Sequence, residues 1–541
     1  MNLGQSSIDE LQQTVDTFRS HVDQHITAID GVSTNIQTTT AQVAAEVEEF
    51  KKNMTMSEEV GLASENIMRL DQIAREQFGG YEEVRRTVIG IVRDYDINLV
   101  RGKTIDELSQ ELWVSNSRYW LSYALIALAA WVNDYPELAA NAVSECMHRD
   151  KIKATLFFTL LNLRFDRIPA AREWFGIYLS ALDPADLPLE SAVMLQAYLA
   201  GAFGRDKKMQ DEVSRRIDDW IAQVAADEAS RKEFVGSYRR YIEERRPSKQ
   251  FQYPALQQVC SNVAQAQAMH DGYSRYAPLL QMVNELDVPA VEQTDGNFKA
   301  RIDKVLSDLI SNYDRDEREV RDQKAYYEFV VKNDGDTQAA QTQYKTMLEQ
   351  RQKGSNIGRT FLDWVLYRSS SQIDVHVRRF ALSRTKRWLL SAIDDYDDAL
   401  RQARPDAYAL ELQIQPGLTW TGAIDQTGSN GQVLCGEVSA FVRDHRTSIV
   451  FFNKPNIVAG VIGIVCIGLA FLSPFTLIGS LAATLFIVWN ILSKSKTFDQ
   501  IVASSVNSVA TASNEAAMLH QYTLDCGRVR DEVKARLQHN F

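Results

Sequence analysis

The residues best suited to binding chemistry lie in the basic stretch 231–253, where cationic and aromatic side chains are interleaved. This stretch carries seven positive and three negative charges, although the 541-residue chain has a formal net charge of −12. Cations neutralise phosphates and aromatic faces stack on bases, so the pattern favours a single-stranded nucleic acid or a nucleotide as ligand. The predicted ligand-binding residues are Tyr238, Arg239, Arg240, Tyr241, Arg245, Arg246 and Lys249. The alternative is a solvated helix whose arginines pair with acidic neighbours.

A second basic run, Arg378 to Arg387, is followed closely by an acidic cluster. Its members are Asp394, Asp395, Asp397 and Asp398. Adjacent acids on a helix point in different directions, so we predict a solvated, salt-bridged helix rather than a metal site. His21 and His25 lack a third ligand and are interpreted as helix residues. No metal or other cofactor is predicted.

No motif in the chain proposes catalysis. The Gly-Lys-Thr triplet at 102–104 is not a phosphate loop, because Ile97 stands where that loop needs glycine. Nucleophile elbows, metalloprotease motifs and dinucleotide fingerprints do not occur. The five scattered cysteines argue against a disulfide framework and fit a reducing compartment. The sequence therefore predicts a protein that is not an enzyme.

The elements that would position such a site centre on an uncharged segment, 455–493. Two apolar runs, Ile457–Leu472 and Phe475–Leu492, are joined by Ser473-Pro474. A spanning helix needs roughly 20 apolar residues, so we predict a two-helix transmembrane hairpin over 453–496. Basic residues on both flanks place both ends, and both termini, in the cytoplasm. The alternative is a buried hairpin of a soluble protein.

The second apolar run carries a hydroxyl stripe at helical spacing, Thr476, Ser480 and Thr484. Hydroxyls can face water and remain satisfied, so these residues are predicted to line a pore. The alternatives are hydrogen bonds back to their own helix and contacts between the two spans. Two spans per chain cannot enclose a conduit, so a channel requires assembly of several copies.

The N-terminal region offers a means of assembly, because apolar residues recur every seven positions. They are Ile8, Val15, Val22, Ile29, Ile36, Val43 and Phe50. This spacing predicts a coiled coil over residues 1–56 that makes a homo-oligomer. The alternative is a helix that lies on another helix of the same chain.

The rest of the chain reads as mainly α, with one short β element. A helix is expected to end at Gly79-Gly80, and paired helices from Asn116 resemble tetratricopeptide-like hairpins in period. Residues 297–332 read as one long helix. The predicted regions are a helical-repeat sensor domain over 57–290, a long-helix region over 291–404, a small antiparallel β collar over 405–452 and a C-terminal helix over 497–541.

The layout of a large helical region, a basic aromatic stretch and a two-span hairpin resembles membrane effectors of bacterial anti-phage signalling systems, in outline the Hailong A effectors. The resemblance is one of architecture and implies a soluble crown that binds a DNA oligomer and gates an ion channel, with growth arrest when the channel opens. It also implies a partner enzyme that makes the signal and a location in the bacterial inner membrane.

Two classes of function follow from these features. The first is an oligomeric channel gated by a cytoplasmic domain that binds a nucleotide or single-stranded DNA oligomer. The second is a membrane-anchored helical scaffold that docks partner proteins without conducting ions. A helical toxin that inserts from solution is a third class.

Overall fold

The computed structural model describes residues 3–94, 117–204, 206–287, 298–350, 354–366, 373–451, 454–468 and 476–541. Within these ranges the chain is mainly helical. Its elements, in chain order, are α1 Leu3–Asp94, α2 Trp120–Val132, α3 Pro136–Arg149, α4 Lys151–Arg164, α5 Ile168–Ala181, α6 Leu189–Leu199, α7 Lys207–Ala226, α8 Glu228–Glu243, α9 Pro254–Val259, α10 Val263–Ser274, α11 Tyr276–Leu286, α12 Phe298–Ser311, α13 Arg315–Lys332, α14 Thr337–Gln350, α15 Ile357–Leu366, α16 Val375–Ala403, β1 Ala407–Gln415, β2 Leu418–Asp425, α17 Gly431–Asp444, α18 Arg446–Val450, α19 Lys454–Gly468 and α20 Thr476–His539.

The chain divides into two compact units. Unit 1 comprises Met1–Ala181 and Lys299–Lys353, and unit 2 comprises Leu182–Phe298 and Gly354–Phe541. These bounds differ from the predicted regions. The stretch predicted as one sensor domain, 57–290, contributes to both units.

Unit 1 is organised around α1, a single helix of 92 residues. From Ala63 onward its apolar face is buried and packs mainly on α13. The predicted end at Gly79-Gly80 is wrong. Two glycines cost roughly 1 kcal/mol each in helix propensity. The flanking Phe78 and Tyr81 are both buried, and Tyr81 stacks on Tyr119 at 4.0 Å, so tertiary packing keeps the helix intact.

Helical hairpins make up much of unit 1: α2 with α3, α4 with α5, and α13 with α14. Three of their turns are alike, with an aspartate at positive φ: Asp134 at 64°, Asp166 at 58° and Asp334 at 50°. In each turn the next amide reaches back to a carbonyl five residues earlier, at 2.8 to 2.9 Å. This is the Schellman arrangement, and aspartate tolerates the left-handed position it needs.

The run of paired helices predicted from Asn116 was expected to include a third pair, Leu189–Phe203 with Met209–Val224, but α6 and α7 do not form a hairpin of this kind. In unit 2, α7 packs on α8 and α15, whereas α6 packs on α16.

The predicted long helix over 297–332 is also wrong, because α12 and α13 are separated at residues 312–314. Asp314 is extended there, and its carboxylate accepts from Trp120 Nε1 at 3.1 Å and Lys153 Nζ at 2.5 Å. Contacts distant in sequence therefore interrupt the helix.

Unit 2 is built around the second half of α20. Small and apolar residues at helical spacing are buried along that half: Val509, Ala512, Ala516, Leu519, Val533 and Leu537. They pack against α9, α10, α11, α16 and α17. The prediction that the second apolar run and the C-terminal helix are separate is wrong. Residues 493–497 contain no proline or glycine, and the helix continues through them without a break.

The predicted small β collar is confirmed as a two-stranded antiparallel sheet. Strands β1 and β2 pair from Ala407 with Asp425 to Gln415 with Leu418, and the turn places Gly417 at φ 93°. The sheet buries Tyr408 and Trp420 on its inner face. Two helices that were not predicted, α17 and α18, follow the sheet and pack along α20.

Candidate ligand surface and membrane hairpin

Helix α8 presents the basic stretch and buries its own apolar face. Asp227 begins the helix by accepting from the Ser230 amide and hydroxyl at 2.8 and 2.7 Å. Phe234, Tyr238 and Ile242, spaced four residues apart, are then fully buried. Phe234 stacks on Trp388 of α16 at 4.4 Å. The periodicity of α8 therefore assigns Tyr238 to the core.

Tyr238 is the predicted ligand residue whose placement argues against that role. Its side chain has no exposed surface, and its hydroxyl forms a 2.7 Å hydrogen bond with Thr385 Oγ1. Burial raises the pKa of its phenol. A ring enclosed in this way has no free face for stacking on a base.

The arginines on the outer face of α8 differ in their partners. Arg239 Nε donates to Glu243 Oε1 at 2.9 Å, as the salt-bridged alternative expected. Arg240 and Arg246 are exposed, and Arg240 contacts only the Ser237 hydroxyl at 3.3 Å. Among the described residues, neither Arg240 nor Arg246 pairs with a carboxylate. Both guanidinium groups are therefore available to an anionic ligand.

Tyr241 and Arg245 lie together beside two arginines from other helices. The Arg245 guanidinium is 3.8 Å from the centre of the Tyr241 ring, a cation–π contact. Burial is the largest influence on the Tyr241 phenol and raises its pKa. The positive charges of Arg245 and of Arg378, from the second basic run, offset part of this rise, so Arg378 lies near this phenol. Arg275 Nε donates to the Arg245 carbonyl at 3.1 Å. No local pattern indicates that the two basic runs meet, since 132 residues separate Arg246 from Arg378.

Lys249, the last predicted ligand residue, touches α20. Its ammonium is 5.3 Å from the centre of the Tyr522 ring. The His270 ring of α10 also stacks on the Tyr522 ring, with 4.7 Å between the ring centres. Burial is the main cause that raises the pKa of Tyr522 to about 12. The basic stretch therefore ends directly on the helix that carries the second apolar run.

A second contact ties the same segment to α20. The Glu515 carboxylate accepts from the amides of Ala255 at 3.1 Å and Leu256 at 2.8 Å, at the start of α9. A carboxylate at a helix N-terminus satisfies amides that lack intrahelical partners and complements the helix dipole.

The acidic cluster holds α20 against α16. Asp397 accepts from Arg530 at 2.6 Å and from Arg401 at 2.8 Å, and Lys534 pairs with Asp394. The prediction of a salt-bridged helix is confirmed for these aspartates. The predicted solvation is wrong for Asp397, which is 3% exposed and also accepts from the Tyr276 hydroxyl at 3.3 Å.

Helices α19 and the start of α20 form an apolar hairpin with small residues at its contact. A Cβ on Gly463 would lie 3.5 Å from Ala483 Cβ, and one on Gly479 would lie 3.0 Å from Cys466 Sγ. Glycines here let the two helices approach closely. The outward side chains are apolar and exposed, among them Ile464 at 71% and Leu481 at 63%.

One helix of the described chain, over Ile478–His539, is long and apolar enough to cross a membrane. The described part of α19 is apolar but shorter, at 15 residues. The soluble alternative expected a buried hairpin, whereas the apolar window of α20 is not buried. By length and composition, α20 is the one described helix that meets the requirement for crossing a membrane.

The hydroxyl stripe is described at two of its three positions. The Thr484 hydroxyl donates to the Ser480 carbonyl at 2.8 Å, so it bonds back to its own helix as one alternative expected. Thr484 is exposed and Ser480 is half-buried. The Thr476 side chain lies outside the described residues. A hydroxyl satisfied in this way can still face a water-filled space, and pore lining stays a prediction.

The predicted heptad seam is exposed wherever its side chains are described. Ile36, Val43 and Phe50 are 61%, 52% and 69% exposed. They do not lie on another helix of this chain, contrary to the intramolecular alternative. The side chains of the earlier heptad positions, from Ile8 to Ile29, lie outside the described residues.

Metal-ligand geometry is not found in the described part of the chain, where no group of three His, Cys, Asp or Glu side chains converges. The five cysteines are free. No protein-family model, curated protein or solved structure matches this chain. Inferences about its function therefore depend on its own residues.

Proposed function

We propose that this protein is a membrane channel of the bacterial cell membrane that assembles from several copies and opens when its soluble part binds a nucleotide or a single-stranded DNA oligomer. The observation that carries the proposal is the continuity of α20. Its first residues form half of an exposed apolar hairpin, and its last 30 or so residues lie in the core of the unit that bears the basic surface.

A continuous helix is a direct mechanical link. At 1.5 Å per residue, the 64 residues of α20 extend about 96 Å. The ion pairs with Asp394 and Asp397 hold its far end, and Lys249 and Glu515 connect it to the candidate ligand surface. A ligand that moves residues 239–249 would shift α20, and with it the hairpin.

The ligand class follows from the free cations. Arg240 and Arg246 offer exposed guanidinium groups for phosphates, and the half-buried Tyr241 lies beside them in a group of arginines. Phosphate neutralisation of this kind gives affinity that falls with salt. A partner enzyme that makes the oligomer, with growth arrest as the outcome of opening, completes the proposal.

The ligand claim is tested by titrating labelled single-stranded DNA oligomers. We expect Arg240→Glu with Arg246→Glu to weaken binding and to flatten its salt dependence. Lys207→Glu with Lys208→Glu is the matched control, since both lysines are exposed and lie on α7. Equal binding by both double variants would remove this surface from the proposal.

The channel claim is tested by conductance of purified protein in planar bilayers, with and without oligomer. We expect a current that the oligomer increases. Tyr522→Leu should bind the oligomer yet lose the current response, whereas Leu524→Ala, at a 48% exposed position on the same helix, should behave as wild type. Absence of current under every condition would favour the scaffold instead.

The scaffold is the second candidate, and exposed aromatic residues at hairpin turns favour it. Trp131 and Tyr135 lie at the α2–α3 turn and are 43% and 55% exposed, and Phe165 at the α4–α5 turn is 37% exposed. Aromatic side chains in such positions suit protein docking. A toxin that inserts from solution is distinguished by lysis of vesicles when soluble monomer is added from outside.

A further inference from the structure

The base of the hairpin and the end of the collar meet at one buried polar contact. Asn490 Nδ2 on α20 donates to Asn456 Oδ1 on α19 at 2.7 Å. Asn456 Nδ2 donates in turn to the carbonyls of Val450 at 3.3 Å and Phe451 at 3.0 Å. Both asparagines are at most 9% exposed. This contact fixes α18, α19 and α20 at a common level.

The two sides of this level differ sharply in charge. The described hairpin residues beyond the asparagines, 457–468 and 476–489, contain no Asp, Glu, Lys, Arg or His. Phe451 and Trp489 lie at the level itself and are 48% and 66% exposed. Exposed aromatic rings in this position are typical of the boundary between hydrocarbon and lipid headgroups.

Basic residues follow at once on the soluble side. Lys494 and Lys496 lie about 6 and 9 Å beyond Asn490 along the helix axis. Arg446 reaches a similar level, since its guanidinium is 5.3 Å from the centre of the Phe498 ring. A headgroup layer is about 5 to 8 Å thick. The Lys494 backbone therefore lies within the headgroup layer, and the long side chains of Lys496 and Arg446 start just beyond its outer edge, within reach of lipid phosphates.

The local charge favours an anionic partner. Arg443, Arg446, Lys494 and Lys496 are all exposed. Two exposed acids, Asp444 and Asp499, lie near them, so these six described side chains carry a net charge of +2 in a chain whose total is −12. The chain as a whole carries a negative charge that an anionic bilayer repels, so attraction requires a local basic zone such as this one.

We propose that a headgroup belt, made of Phe451, Trp489, Arg443, Arg446, Lys494 and Lys496, binds the phosphates of an anionic phospholipid bilayer and fixes the depth of the hairpin. The inference rests on the insertion of the hairpin that is proposed above. It adds that the lipid headgroup is a ligand with its own site, on the soluble side of the Asn456–Asn490 contact.

Flotation of detergent-purified protein with vesicles tests the belt. We compare phosphatidylcholine vesicles with vesicles that also contain phosphatidylglycerol. We expect about tenfold more bound protein on the anionic vesicles, with the difference reduced by salt, because an anionic surface attracts nearby basic residues and salt screens that attraction. Lys494→Glu with Lys496→Glu should abolish the difference. Arg231→Glu with Lys232→Glu, exposed on α8, should retain it.

The outcomes separate this inference from the proposed function. Equal flotation on both kinds of vesicle, unchanged by the Lys494 and Lys496 variant, would overturn the belt and leave insertion intact. Failure to float on either kind would count against the hairpin entering lipid at all. A second measurement uses quenching of tryptophan fluorescence by brominated lipids. Trp489→Phe should remove this quenching. Trp131→Phe, at an exposed position of unit 1, is the control and should leave it unchanged.

Discussion

The two longest helices of the described chain, α1 and α20, use their length in opposite ways. In α1 the described side chains between residues 31 and 55 are exposed, and from Ala63 onward the helix is packed in unit 1. In α20 the first residues form an apolar hairpin and the second half is the axis of unit 2. Each helix thus joins a packed part to a part whose described apolar side chains are exposed.

The exposed halves differ in chemistry, and the difference indicates different environments. The stripe of α1 repeats every seven residues and is flanked by neutral polar residues such as Asn35, Thr40 and Gln42, which suits a helix of a second copy. The hairpin half of α20 is apolar on nearly all sides, which suits lipid. Each packed part is held by an ion pair with a buried carboxylate, Arg85–Glu317 in unit 1 and Arg530–Asp397 in unit 2.

The largest expected effect is on the anchor of α1. Arg85 Nη1 donates to Glu317 Oε2 at 2.8 Å and Arg85 Nη2 donates to Glu317 Oε1 at 3.1 Å, and Glu317 is fully buried. Glu317→Ala leaves a buried guanidinium without its carboxylate, so we expect unit 1 to lose about 3–5 kcal/mol of stability. Hydrogen exchange followed by mass spectrometry measures the loss unit by unit. Glu319→Ala, at a largely exposed ion pair with Arg315, should change little.

The next effect concerns the anchor of α20. Gly428 has φ 72°, and a Cβ there would overlap the Ser513 carbonyl oxygen of α20. Gly428→Ala should therefore destabilise unit 2 by roughly 2–3 kcal/mol, from backbone strain together with the clash. Gly417→Ala is the control, because its φ is 93° but no atom lies within 4 Å. Equal losses for the two variants would show that this turn does not press on α20.

A smaller, pH-dependent effect is expected from the same turn. Hydrogen bonds from the Ser429 side chain are the main cause that lowers the pKa of Asp425 below its ordinary 3.8. A carboxyl with a lowered folded pKa contributes stability above pH 3.8 and loses it as the pH falls through the folded value. Thermal melts of wild type and Asp425→Asn should differ slightly at neutral pH and converge in acid. A constant difference would contradict this account.

The smallest effect on stability, with the largest effect on assembly, is expected in the free half of α1. Ile36→Ser with Phe50→Ser removes two exposed seam residues, so the stability of unit 1 should change by less than about 0.5 kcal/mol. The mass of the detergent-solubilised particle, measured by light scattering, should fall. Gln37→Ser with Lys51→Ser changes the neighbouring positions and should keep the mass. An unchanged mass in both variants would leave the stripe without a role in assembly.

Periodic features could be predicted from the sequence because they depend on neighbours along the chain. The helical character, the β collar and the exposed apolar segment all follow from spacing within a few turns or strands. The candidate site was predicted less well. Arg239, Arg240 and Arg245 lie on α8 or just after it, but the spacing that buries Phe234 and Ile242 also buries Tyr238.

The contacts of the site depend on residues far apart in sequence. Arg378 approaches Tyr241 because α16 packs on α8, and Arg275 reaches the Arg245 carbonyl from the junction of α10 and α11. The stacking of His270 on Tyr522 and the capping of α9 by Glu515 join residues about 250 positions apart. No local pattern encodes such pairs.

The sequence by itself determined where this chain is apolar, where it is basic and where it repeats every seven residues, because those properties are written in residue order. Only the tertiary structure decided that Gly79-Gly80 does not interrupt α1, that Asp397 is buried and that Tyr238 is enclosed by residues of α16. Each of those outcomes depends on burial against a residue far away in the sequence. A local pattern does not reveal that partner.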